Sequence, residues 1–278
     1  MDVFQLPANG LPMEQALYIS RVDKITYYCS DFSRLYFGQE FCERLLPDED
    51  DLQRMLDAAA QRGLAFTLVT PYVTNQGLEQ VEKLLAVLER QRPDAEVVFN
   101  DWGVLGLLRD EYSTLTPVLG RLLNKMKRGP RIVNIIDKVP QPTRNYFQRS
   151  SCEVPSVVRY LKKNGIVRVE FDNLLQGLKL NDADDGIHKS LYLPYAFVST
   201  TRFCLTANCD RDDSGRERVG IFSCGRECAK YTFELENPVM RVPLIRRGNT
   251  LFFCNEEIPD VVAQRQVDRI VIEPEIPL

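Results

Sequence analysis

Apolar residues in this chain come alternately in compact runs and in stretches with helical spacing, the pattern of strands regularly followed by helices. Asp2 to Leu6 is a short apolar run closed by Pro7 and Asn9-Gly10, and Met13 to Val22 then spaces its apolar residues helically, predicting a first strand and helix. Arg34 to Phe37, with the aromatic segment Ile25 to Tyr28 before it, predicts a second extended element running into Gly38, Gln39, Glu40 and Cys42. Leu52, Met55, Leu56, Ala59 and Ala60 share one helical face. Asp48 to Asp51 sit where the helix dipole favours acids, and Gly63 follows as a cap. Ala65 to Val69 predicts the third strand, and Leu78, Val81, Leu84, Leu85 and Leu88 mark the helix after it.

Glu96 to Phe99 predicts a fourth strand entering Asn100-Asp101-Trp102-Gly103 and a short helix through Leu108, and Pro117 to Leu119 a fifth. Pro155 near an N-terminus, the apolar set Val154, Val157, Val158 and Leu161, and the closing Asn164-Gly165 define another helix. Val167 to Phe171, Leu191 to Val198 and Ile270 to Ile272 complete eight strands. This succession predicts an α/β protein built as a TIM-like (β/α)8 barrel, imperfect where crossovers are irregular. Its 278 residues fit one such domain over 1–278, with a cysteine-rich insert at 204–228 after strand seven.

Chemistry in such a barrel collects at the C-terminal ends of the strands. Thr70, Asp172 and Asn173 fall there, as do Asn100, Asp101, Arg121 and Asn124. The last four are candidate contacts for a small anionic substrate, since the Arg121 fork suits a carboxylate, while Asn100 and Asp101 read equally as ties for the turn before Trp102. Trp102 is expected to pack in the core. Lys125, Lys127, Arg128 and Arg131, with Arg121 and Arg144 nearby, read as a contact for an RNA backbone or an anionic small substrate, or as a solvated face. A net charge of −4 disfavours RNA. With no leader-like start and no long apolar run, a cytoplasmic protein without a membrane span is expected.

Four of the eight cysteines fall between Cys204 and Cys228, as CLTANC and SCGRECAKY around a polar insert. Thiolates gathered this closely at neutral pH are held by a cation. Zinc and an iron–sulfur cluster both satisfy the spacing, and in a reducing compartment disulfides do not explain it. Packing as small buried hydrophobes is the plain alternative.

The pieces YFGQEFC (Tyr36 to Cys42), FNDWGVL (Phe99 to Leu105), VLGRLLN (Val118 to Asn124), TRFCLT (Thr201 to Thr206), CGRECAKY (Cys224 to Tyr231) and the closing VDRIVIEPE carry a resemblance to the collagenase-like peptidase family U-32. In layout the chain is similar to its shorter, single-barrel members, the UbiU/UbiV-type accessory proteins of oxygen-independent ubiquinone hydroxylation; other members resemble tRNA- and rRNA-hydroxylation factors. The resemblance implies a [4Fe–4S] cluster on Cys204, Cys224 and Cys228, with Cys42 as fourth ligand and Cys254 or Cys209 as alternatives. It also implies a partner, a second U-32-like protein in a heterodimer. Beside a role in hydroxylation stands a zinc- or cluster-stabilised binding module without turnover. Peptidase activity has little support in the residues, for His188 is the only histidine and neither HExxH nor GxSxG occurs.

Overall fold

In the computed structural model, which describes residues 13–181, 186–210 and 222–277, eight parallel strands close into a barrel. They are β1 (Glu14–Ile19), β2 (Arg34–Gly38), β3 (Ala65–Val69), β4 (Glu96–Phe99), β5 (Thr116–Leu119), β6 (Arg168–Asp172), β7 (His188–Leu193) and, last in the chain, β12 (Arg269–Ile272). The ring order is β1-β12-β7-β6-β5-β4-β3-β2. Every neighbour pair is parallel, closing where Glu14 to Leu17 run beside Arg269 to Ile272.

Helices α1 (Glu49–Gln61), α2 (Asn75–Gln91), α3 (Trp102–Asp110), α4 (Gln141–Gln148), α5 (Pro155–Lys163) and α6 (Asp260–Ala263) line the outside. None of the described helices is long and apolar enough to cross a membrane. The Asp48 side chain accepts from Asp51 N at 2.7 Å to start α1, and Thr74 does the same for α2 through Gly77 N. Gly38 is obligatory at the end of β2: its φ is +135°, and a Cβ there would lie 2.2 Å from the Val69 carbonyl oxygen.

The structure corrects three expectations. Residues 14–19, expected as helix, are β1. Ala16, Leu17, Tyr18 and Ile19 are all buried, because a barrel strand is covered on both faces and loses the polar alternation that would mark it. The expected first strand, Asp2 to Leu6, lies outside the described residues. The run Leu191 to Val198 is not one strand: β7 stops at Leu193, and after the cis Leu193-Pro194 bond the chain leaves the barrel as β8 (Tyr195–Thr200). There it joins β9 (Phe233–Leu235), β10 (Leu244–Arg247) and β11 (Thr250–Cys254) in an antiparallel sheet ordered β8-β11-β10-β9, which the residue pattern did not foretell. Trp102, expected in the core, is 50% exposed, edge-on to Tyr160 at 5.9 Å.

Two charged networks fill the barrel ends. At the N-terminal end the first residues of five strands meet: Arg269 binds Glu14 and Glu96, Arg34 binds Glu14, and Arg168 binds Asp268. His188 joins this end, its Nδ1 2.6 Å from Asp268 Oδ2. Between the ends, Tyr18, Tyr36 and Tyr192 pack edge to edge beside Glu170.

Candidate functional site

At the C-terminal mouth Arg121 is wholly buried. Its Nε and Nη2 fork onto Glu40, with a shortest approach of 2.6 Å; Nη2 also reaches Glu273 at 2.7 Å and Nη1 Asp172 at 3.2 Å. Nη1 further donates to Tyr195 O at 2.9 Å, and the guanidinium stacks 3.8 Å over the Tyr192 ring. Arg128 turns inward as well, bound to Asp172 and lying 3.8 Å over Phe197. Three carboxylates thus share two guanidiniums. Burial pushes Glu273 up to about 8 even against Arg121, and burial likewise raises Glu40. Phe41, Phe197 and Phe252 pack over the network with centroids 5.1 to 5.6 Å apart, so the second sheet seats on the barrel mouth.

Of the other residues expected to face substrate, Asn100 and Asn124 are buried and Asp101 is half-buried. Asn100 donates Nδ2 to Thr70 O and accepts from Leu122 N, and it presses on Gly120, where a Cβ would come 2.1 Å from Asn100 Oδ1. Asp101 accepts from Gly103 N and Val73 N, capping α3. Asn124 donates to Glu170 O at 2.9 Å and receives Ser150. All four therefore bind the protein's own groups. The basic run is split, with Lys125 donating to Leu122 O, Arg128 buried and Arg131 exposed.

The cysteines meet at the rim. Cys42, just past β2, and Cys204, Cys224 and Cys228, from the stretch after β8, line one cavity of about 220 Å³ with Phe41, Phe203, Phe222 and Tyr72. Cys209 is exposed and Cys254 ends β11; neither lines this cavity. Cys29 and Cys152 pack with the main core, and burial pushes the Cys152 thiol up to about 11. The insert from Asp210 to Gly220 lies, after Asp210, outside the described residues.

Residues that carry no chemical motif hold this arrangement. Glu227, 5% exposed, accepts from Asn208 N and Gly225 N at 3.0 Å each, tying the Cys204 turn to the Cys224 turn. Asn249, in the hairpin between β10 and β11, sets Nδ2 within 2.7 Å of Phe41 O, 2.8 Å of Thr201 O and 3.1 Å of Tyr72 Oη. Arg247 donates Nε to Cys228 O at 3.2 Å. The residue pattern as read pointed to none of these roles; the Gly248-Asn249 turn is the signal that could have marked one of them.

Burial pushes the Cys228 thiol up to about 11, with Cys204, Cys42 and Cys224 adding to it. Burial is also the chief cause raising Cys42, where the Arg44 backbone N–H opposes and the Cys224 and Cys204 thiols add. A cation would be needed to hold Cys42 and Cys228 as thiolates there. As they stand, no three His, Cys, Asp or Glu side chains among the described residues are drawn close enough to hold a metal ion. In kind, the all-thiol donor set fits an iron–sulfur cluster or zinc.

No family model matches the chain, and no curated protein matches it. Among solved structures the U32 peptidase Mk0906 is similar over 99% of this chain and 98% of its own, at 11% identity and a TM-score of 0.45. A class V chitinase from the plant Cycas revoluta is similar over 93% of this chain and 94% of its own, at 8% identity and a TM-score of 0.38. A chitinase from Trichuris suis covers 94% of this chain and 91% of its own, at 8% identity and a TM-score of 0.34. Likenesses this slight carry no argument about chemistry or descent, and the barrel is established by its own strand pairing.

Proposed function

We propose that this chain is an iron–sulfur protein of U-32 type, in which Cys42, Cys204, Cys224 and Cys228 hold a [4Fe–4S] cluster, and that it acts in or beside an oxygen-independent hydroxylation. The observation that carries this reading is the convergence of four thiols from two distant stretches on one rim cavity, with Cys209 and Cys254 left outside. A bound cluster would supply electron transfer, or a Lewis-acidic iron, at that rim. The chain's own residues do the rest. Glu227 and Asn249 fix the two cysteine turns against β2, and Phe41, Phe203 and Phe222 wall the thiols with apolar surface.

The closed Arg121 network favours an accessory role, with chemistry at the rim or on a partner, over a substrate held on the barrel axis. Phe203 and Leu205, exposed on either side of Cys204, suit the second U-32-like protein implied as partner. A peptidase reading finds no support in His188, which sits with Asp268 at the opposite end of the barrel from the cysteines.

Anaerobically prepared protein should contain about four irons and matching sulfide per chain and absorb near roughly 400 nm. Cys42→Ala should lose the cluster, while Cys209→Ala and Cys254→Ala keep it. Zinc without sulfide would replace this reading by the metal-stabilised binding module. Full iron retention in Cys42→Ala would remove Cys42 from the ligand set.

A further inference from the structure

A second cavity, of about 560 Å³, opens beside the cysteine cavity and shares Leu45 and Cys228 with it. Its charged wall consists of Arg21, Arg54, Arg226 and Arg247 against Asp23 and Asp51. Four guanidiniums face two carboxylates, so two positive charges stand in excess.

The excess falls on particular residues. Arg21 pairs with Asp23 at 2.9 Å, and Arg54 pairs with Asp51. Arg247 places Nε and Nη1 on the main-chain oxygens of Cys228 and Ile276, which are neutral. Arg226 has no ion pair among the described residues, and it is fixed in the left-handed region at φ 59° by the turn that carries Cys228. Gln39, only 2% exposed, lines the same cavity with its Oε1 buried and unpartnered. Guanidinium charge without a carboxylate partner on a cavity wall favours an anion in that cavity.

We propose that this cavity binds a small doubly charged oxyanion, the chemistry shared by a phosphomonoester and a dicarboxylate, with Arg226 and Arg247 as its principal donors. Arg226 supplies a planar fork with no ion pair among the described residues, and Arg247 adds the Nη2 that its two main-chain contacts leave, which suits an anion with oxygens on two sides. Arg21 and Arg54, each sharing its charge with an aspartate, form the outer rim. The site is built from the ends of β1 and β2, the start of α1 and the end of β10, and it stands whether the cysteines hold iron, zinc or neither.

Isothermal titration calorimetry on the full chain tests this, with metal and sulfide measured on the same anaerobic sample so that the fate of the cluster is known separately. The probes are inorganic phosphate, succinate and, as a monoanion, acetate, all at constant ionic strength. Saturable binding of phosphate or of succinate at one site per chain, with none of acetate, is the expected result, and whichever of the two binds names the source. Arg226→Gln should weaken that binding about tenfold or more, as expected for loss of a charged donor. Arg226→Lys should restore part of it. Arg54→Gln should weaken it less. Both side chains are exposed, so the fold persists in each variant. The inference fails if neither dianion saturates at millimolar concentration, if binding is indifferent to Arg226→Gln, or if only a single-stranded RNA oligomer binds.

Discussion

Glu170 offers a measurable consequence of polar groups sealed inside the barrel. It is fully buried, Tyr36 donates to its Oε1 at 3.0 Å, and its Oε2 has no partner. Burial raises its pKa from an ordinary 4.5 to about 7, with Arg269 and Arg168 only partly offsetting the effect. Between those two values the folded chain binds a proton that the unfolded chain has released. Stability therefore falls as pH rises through that window, by about 1.4 kcal/mol per pH unit for one such proton. The full loss approaches about 3 kcal/mol once the pH passes the folded pKa. Glu273, raised to about 8, extends the decline upward. Glu170→Gln stays neutral at every pH while keeping an oxygen for Tyr36. Urea unfolding of wild type and variant from pH 5 to pH 7.5 should show the variant's stability falling by about one proton's slope less, whatever its absolute value. Identical slopes in the two proteins would mean that Glu170 is ionised in the folded state, and would refute a protonated carboxyl in the barrel interior.

Arg121→Met should cost about 3–5 kcal/mol in denaturant unfolding, because Glu40, Asp172 and Glu273 would then face each other with Arg128 as their remaining cation; near-neutral behaviour would show that the cluster is already largely protonated. Asn249→Ala should cost about 1–3 kcal/mol and speed amide exchange from Phe41 to Leu45 and around Thr201, while the strands on the far side of the barrel keep their protection. Peptide and collagen substrates should remain uncut. A specific cleavage abolished by one substitution would overturn the non-hydrolytic reading.

Much of the barrel was legible because its strands are short apolar runs bounded by turn residues. Ala65–Val69 and Glu96–Phe99 match the residue pattern to the residue, and α1 and α5 were marked by Asp48, Gly63, Pro155 and Gly165. β1 was not, since full burial on both faces removes periodicity of either kind, and the apolar spacing of 13–22 then imitates a helix. The second sheet was hidden for the opposite reason: Phe233–Leu235 and Leu244–Arg247 are half-exposed and mixed in polarity. Pro194 inside an apolar run was the available sign that 191–198 divides. At the site, residue chemistry identified the cysteines, and strand order placed Cys42 with them. The supporting groups were invisible because Glu227, Asn249 and Arg247 act on backbone atoms, and what a side chain meets across a fold is not written beside it. Arg121 was placed at the correct end of the barrel, but its three carboxylate partners come from β2, β6 and β12, a grouping that only closure creates.

The closing strand gives the chain an order of assembly. β12 fits between β1 and β7, so during synthesis the first seven barrel strands emerge as an open curl with two bare parallel edges. The stretch holding both cysteine turns leaves the ribosome next, while that curl is still open and Cys42 already stands on it. Only when Arg269 to Ile272 appear do both edges find a partner. The rim is thus furnished before the ring is locked. A nascent chain halted ahead of β12 would carry its cysteine turns complete and its sheet edges unpaired, ready to stick to a neighbour.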